Sequence, residues 1–190
     1  MKRLRIGLVG ENSNDTKAIK SLLERMIDGG CEFRQLFRNA TGSLLDQAGG
    51  ATRLRRDYEL FQPDLVVFIR DLDALEEDKN AMRKRQEFFQ RRNRTVDRKG
   101  IFLLHVWEIE ALILADVECF NQKFGTNLPQ VGDVMRIVFP KEYLQAEARY
   151  RESHCPELIA EANIENMRLN CRYFQRFEDR LQERLQRLVG

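Results

Sequence analysis

The chain has 190 residues, enough for one sizeable core or one core with a helical appendage. With 43% hydrophobic and 33% charged residues it reads as a globular protein with a heavily charged surface, which excludes a disordered or fibrous chain. A net charge of only +2 does not itself demand a polyanionic partner, so a nucleic-acid reading must rest on where the charges sit. Cys31, Cys119, Cys155 and Cys171 form no CxxC pair, and His105 and His154 have no nearby ligand partner. Free thiols in a reducing compartment are therefore expected, and a structural zinc site is not. No apolar run approaches the ~20 residues of a membrane span, and the short apolar run after the basic N-terminus reads as a strand, so the expected location is cytoplasmic.

In chain order, Leu4–Val9 is an apolar strand broken by Gly10. The acidic and Asn-rich Glu11–Asp15 then suits a loop and helix cap. Ala18, Ile19, Leu22, Leu23 and Met26 recur at helical spacing until Gly29-Gly30. Cys31–Phe37 alternates as a second strand. Thr41–Gly50 is a loop or frayed helix, and Ala51–Phe61 is an arginine-bearing helix stopped by Pro63. Asp64–Arg70 is the strongest strand, an almost unbroken apolar run of the kind buried on both faces of a parallel sheet. It ends in Asp71-Leu72-Asp73, and a polar helix follows over Leu75–Asn93. Ile101–Val106 is the last strand and runs into Trp107-Glu108-Ile109-Glu110 and an apolar helix, Ala111–Ala115. Alternating strands and helices predict a doubly wound, Rossmann-like α/β core over residues 1–116. Residues 117–190 read as a helical extension packed on that core, ending in an amphipathic helix or helix pair over Ile164–Leu188.

In open α/β sheets ligands bind at the carboxyl ends of strands, where Glu11, Asp71 and Asp73 fall. If the segment stays extended, Asp71 and Asp73 point the same way and Leu72 turns to the core. Carboxylates aimed at one point repel unless a cation lies between them, and Mg²⁺ is the natural occupant. The alternative is a solvated turn in which Asp73 caps the next helix. Asp15 is a fourth acid or an N-cap, and the cap is the favoured reading. Glu110 joins the metal site or serves as the acid at a helix N-terminus.

Strand-GEN-helix, strand-DLD-helix and an apolar strand leading to Glu108–Asp116 (EIEALILAD) together resemble the Toprim domain. More narrowly they resemble a small Toprim-related family, similar to OLD-type nucleases, found beside ATPases in bacterial defence loci. Weaker matches lie at Tyr150–Ala160 and Cys171–Leu181. The resemblance implies Mg²⁺-dependent phosphodiester cleavage, with Mn²⁺ as an alternative ion. It implies Glu11 as proton-transfer group and metal neighbour, Asp71 and Asp73 as metal ligands, and Glu110 as a further candidate. Such nucleases often add a lysine. Here Arg149 and Arg151 flank Tyr150, with Lys141 upstream, and Arg151 is the candidate for that role. An ATPase subunit and DNA or RNA are the implied partners in antiphage defence, and a homo-oligomer is left open. The alternative is a catalytically weak Toprim-like subunit that docks on an ATPase through its C-terminal amphipathic helices. A receiver domain, which also gathers acids at strand ends, would not explain the DLD spacing or the helical tail.

Arg83, Lys84, Arg91 and Arg94 lie in a basic stretch that follows the DLD loop, with Phe88 and Phe89 as apolar anchor. Their proximity to the acids favours a grip on a phosphate backbone over a merely solvated face.

Overall fold

A computed structural model of the chain describes residues 3–27, 29–38 and 42–189. Strands β1 (Leu4–Val9), β2 (Cys31–Gln35), β3 (Leu65–Asp71) and β4 (Gly100–His105) form one sheet in the order β2-β1-β3-β4. Every pairing is parallel, with Ile6 opposite both Phe33 and Leu65, and Phe68 opposite Phe102. The central strand β3 is buried along its apolar run, as its composition requires. The edge strand β2 alternates half-buried and exposed residues.

Helices cover both faces. On one, α1 (Ser13–Met26) contributes Ala18, Ile19, Leu22 and Leu23, all fully buried against Ile6, Leu8, Val67 and Ile69 of the sheet. The same apolar cluster takes in α5 (Glu110–Ala115), α6 (Val117–Phe124), α7 (Pro140–Glu147), α8 (Cys155–Glu161), α9 (Ile164–Asn170) and α10 (Arg172–Val189). On the other face, α2 (Gly42–Asp46), α3 (Ala48–Phe61) and α4 (Lys79–Thr95) close over Val66 and Phe68 with Leu45, Leu54, Tyr58, Phe61 and Phe88. The chain is thus a parallel α/β fold, doubly wound, with a helical C-terminal region. It leaves β1 for β2 through α1 on one face and returns to β3 through α3 on the other. The switch point of the sheet lies between the carboxyl ends of β1 and β3.

Several sequence expectations change in detail. The cap of α1 is Asn12, whose Oδ1 accepts from the backbone N–H groups of Asn14 (2.8 Å) and Asp15 (2.9 Å). Asp15 is therefore not the cap; it sits inside the first turn and is buried. After α1, Gly29 and Gly30 take φ of +91° and +73°, which ends the helix at low steric cost. The helix after β3 begins at Lys79, not near Leu75, because Asp78 supplies the cap, accepting from Asn80 and Ala81 N–H at 2.9 Å each. Asp73 therefore caps nothing. Within the loop-or-helix stretch Thr41–Gly50, Thr41 lies outside the described residues, and the rest holds α2 and the start of α3. The C-terminal segment is a helix pair broken at Cys171. No helix among the described residues is long and apolar enough to cross a membrane.

The boundary near residue 116 does not divide the core. Phe120, Leu158, Phe174 and Phe177 share one cluster with Ile6, Leu22 and Ile113. Helix α8 packs along α1, and α10 lies against β4.

Candidate functional site

The carboxyl ends of β1 and β3 carry two arrangements of acids with different neighbours. The first is an ion-pair network. Arg70 points from the end of β3 with its side chain only 1% exposed, its guanidinium 4.6 Å from the Phe88 ring centroid. A cation buried in an apolar strand needs an anion. Glu11 provides it, with Oε1 2.6 Å from Arg70 Nε. The N–H is not aimed at that oxygen, so this is a close charge contact and not an aligned hydrogen bond. Asp46 of α2 adds Oδ2 at 3.3 Å from Arg70 Nη2. From α4, Arg85 donates to the backbone oxygen of Asp71 (2.7 Å) and to Asp73 Oδ2 (2.8 Å).

The strand ends at Asp71, and Asp73 takes a left-handed conformation with φ of +55°. The alternation that would aim both aspartates alike therefore stops short of Asp73. Its side chain is 63% exposed and held by Arg85. Leu72 between them is buried, as expected.

The second arrangement is a small cavity of about 40 Å³ at the switch point, lined by Asp15, Asp71, Glu110, Lys141, Glu152 and Cys155 among others. Asp15 enters from the first turn of α1, Asp71 from the tip of β3 and Glu110 from the first turn of α5. Burial raises the carboxyl of Asp15 to about 7, despite a hydrogen bond from Asn12, and the charges of Glu110, Glu11 and Glu152 add to the rise. Burial, then Asp15, Glu11, Glu110 and Asp73, hold Asp71 well above the usual carboxylate range. Glu110 is raised chiefly by burial, although Lys141 and Tyr150 pull it down. The Tyr150 hydroxyl donates to Glu110 Oε1 at 3.0 Å. Glu11 is also raised by burial, against the pull of Arg70 and Arg85.

Lys141 stands at the mouth of this cavity with Nζ 2.8 Å from Glu108 and 3.0 Å from Glu152. Burial alone would lower its pKa, but those two carboxylates outweigh it and keep the ammonium charged. Arg151 is exposed, and its backbone N–H donates to His154 Nδ1 at 3.1 Å. The tail therefore meets the acids through Tyr150 and Lys141, while Arg151 does not line the cavity.

Of the four acids proposed from sequence, Asp71 and Glu110 line the cavity, while Glu11 and Asp73 stand beside it against arginines. Asp15 is a further cavity acid, the less favoured of its two sequence readings. Sequence reading missed Arg70 as the partner of Glu11 and Tyr150 as the donor to Glu110. Arg70 could have been found from its position: an arginine inside LVVFIRD has no other way to be buried than paired.

Whether a cation suits this donor set can be judged from its chemistry. Among the described residues no three His, Cys, Asp or Glu side chains are spaced to enclose an ion as they stand. Mg²⁺ takes only one or two carboxylates and keeps several waters, so it does not need such a cage. Carboxyls lifted by burial and mutual repulsion, with a single ammonium nearby, are short of positive charge. The residues fit a hydrated Mg²⁺ or Mn²⁺.

On α4, Arg83, Lys84, Arg91 and Arg94 are exposed, as a backbone-gripping face requires. Arg92 is buried instead, donating to the backbone oxygens of Leu45 (2.9 Å) and Gln47 (2.6 Å), and so ties α4 to α2. Phe88 is buried in the core, and Phe89 stacks on Phe102 at 5.0 Å. The four cysteines are free thiols.

No family model, curated protein or solved structure matches the chain.

Proposed function

We propose that the chain is a Mg²⁺-dependent phosphodiesterase acting on nucleic acid. The observation that carries this reading is the group of buried carboxyls at the switch point, Asp15, Asp71 and Glu110, with Lys141 beside them. Carboxyls whose pKa values are raised by burial and by one another in a cleft are a recurring feature of functional sites. Asp71 and Glu110 are the ligands, with Asp15 as third acid. Mg²⁺, or Mn²⁺ in its place, would polarise a phosphate and lower the pKa of a bound water.

The chain's own residues have distinct tasks. Tyr150 fixes the carboxylate of Glu110 by its hydrogen bond. Lys141 presents an ammonium toward the phosphate oxygens. Arg70 holds Glu11 at the rim, where Glu11 accepts or returns the proton. Arg85 and Asp73 anchor the loop that carries Asp71. The resemblance adds an ATPase partner in bacterial defence as the biological setting. The docking-subunit alternative would need a surface other than the apolar stripe of α10, since Phe174, Phe177 and Leu181 are buried within the chain.

The test is incubation with single- and double-stranded DNA and RNA in Mg²⁺, Mn²⁺ or EDTA. Cleavage is expected only with a divalent ion, and Asp71→Asn lowers it by ~100-fold or more. Cleavage in EDTA, or an Asp71→Asn variant as fast as the parent, would overturn the proposal.

A further inference from the structure

A second cleft, of about 360 Å³, opens between the end of β2 and the exposed face of α3. It is lined by Arg34 and Arg38 from the β2 side and by Arg53, Arg56, Asp57 and Leu60 from α3. The spacing 53, 56, 57, 60 places the α3 residues on one helix face. All four arginines are exposed. The one acid among the lining residues, Asp57, is already engaged: Oδ2 accepts from the Phe37 N–H at 2.8 Å, and Oδ1 lies 3.6 Å from Arg56. The lining therefore holds a clear excess of positive charge.

Two of the guanidiniums are held in place. Arg34 lies over the Phe61 ring at 4.6 Å and Arg53 over the Phe37 ring at 4.7 Å. Phe37 itself is buried and fixed in a left-handed conformation by its bond to Asp57. Stacking orders each guanidinium before any ligand arrives and leaves its outer face and N–H edges available. Leu60, 73% exposed, adds an apolar surface at the rim.

We propose that this cleft binds a single strand of nucleic acid, its phosphates on Arg38 and Arg56 and a base on the stacked guanidinium of Arg34 or Arg53. This rests on the phosphodiesterase reading for the strand's destination. The Leu36 N–H donates to the Leu8 carbonyl at 2.8 Å, so residues 36–38 run beside the end of β1, just before Glu11. The Arg38 end of the cleft thus lies at the carboxyl rim of the sheet, the rim that also carries the acidic cavity. Planar cations on aromatic supports suit bases and phosphates together. An acidic peptide or a lipid headgroup would use the charge but not the flat faces.

The test is the anisotropy of a fluorescent oligothymidylate strand titrated with the full chain in EDTA, where no cleavage occurs. The parent and Asp71→Asn should bind alike. Arg53→Glu and Arg56→Glu should each weaken binding by about tenfold. The salt slope should fall by roughly 0.7 in Arg56→Glu, which loses one phosphate contact, and much less in Arg53→Glu, which loses a stacking surface. Arg53 packs on Phe37, whereas the Arg56 side chain is 74% exposed, so Arg56→Glu keeps the test valid if Arg53→Glu folds poorly. Binding by Arg56→Glu equal to the parent would overturn the proposal. So would a loss confined to Arg83→Glu and Arg91→Glu on α4, or a preference for phosphatidylglycerol vesicles or polyglutamate over the strand. If the cleft variants lose binding while Asp71→Asn still cleaves, the catalytic reading falls and the cleft stands. Intact strand binding by the cleft variants, with cleavage lost in Asp71→Asn, gives the converse.

Discussion

Asp15 and His105 set opposite slopes on the stability of the protein with pH. Asp15 titrates at about 7 in the fold against 3.8 ordinarily, because burial penalises its charge. The folded state keeps a proton that the unfolded chain has already lost. The stability so gained is full below about 3.8 and is lost as pH climbs toward 7. Asp71, also raised by burial and by the neighbouring acids, acts in the same direction. His105 is buried and neutral, its pKa lowered from 6.5 to about 3 by desolvation. Its contribution is full above 6.5 and is lost as pH falls toward 3. The two effects oppose each other through the acidic range, and above 6.5 only the carboxyls remain. In EDTA the melting temperature should therefore fall between about pH 6.5 and 8, by the equivalent of roughly 1–3 kcal/mol. Asp15→Asn should flatten that fall, and Mg²⁺ should reverse it in the parent. A melting temperature that rises over this interval in EDTA would contradict the protonation states assigned to the cavity.

At the scale of elements, α10 shows how an amphipathic pattern is used. Phe174, Phe177 and Leu181 lie on one face, are at most 1% exposed, and pack into the cluster that covers β4. Leu188, near the end of the same helix, is 46% exposed. Phe177→Ala should cost about 3–5 kcal/mol in urea unfolding and raise amide exchange along β4. Leu188→Ala should change stability by less than about 0.5 kcal/mol. Equal effects at the two positions would contradict the packing described. Patterns of this kind are what the sequence displays openly. The apolar run of β3, the alternation of β2 and the stripe of α10 all follow from local periodicity, and each element stands close to where its pattern places it. The start of α4 was hidden because Leu75, Glu76 and Glu77 are as compatible with a helix as with the turn that precedes Asp78. Asp15 and Asn12 are both good caps by type, and nothing local shows that Asn12, three residues earlier, takes the backbone donors and leaves Asp15 to the cavity. Lys141 and Tyr150 reach the acids from distant segments, and no local pattern records a contact between residues 40 apart, as between Tyr150 and Glu110.

In the whole molecule the helical tail is part of the site and of the core, not an accessory to either. Lys141, Glu152 and Cys155 line the cavity that Asp15, Asp71 and Glu110 enter from the α/β portion, and Tyr150 bonds to Glu110 behind it. The sheet's switch point fixes where the acids converge, and the tail supplies the lysine and the tyrosine that set their charge and orientation. A cation at that point would replace protons on the raised carboxyls, so binding and deprotonation are one event. Calorimetric titration of the full chain with Mn²⁺ near pH 6.5, in buffers of differing ionisation heat, measures both together. One ion should bind with release of protons, and Asp71→Asn should abolish or weaken that binding by about 10- to 100-fold. No saturable binding by the parent, or binding that Asp71→Asn leaves unchanged, would contradict a cation site at the junction of β1 and β3.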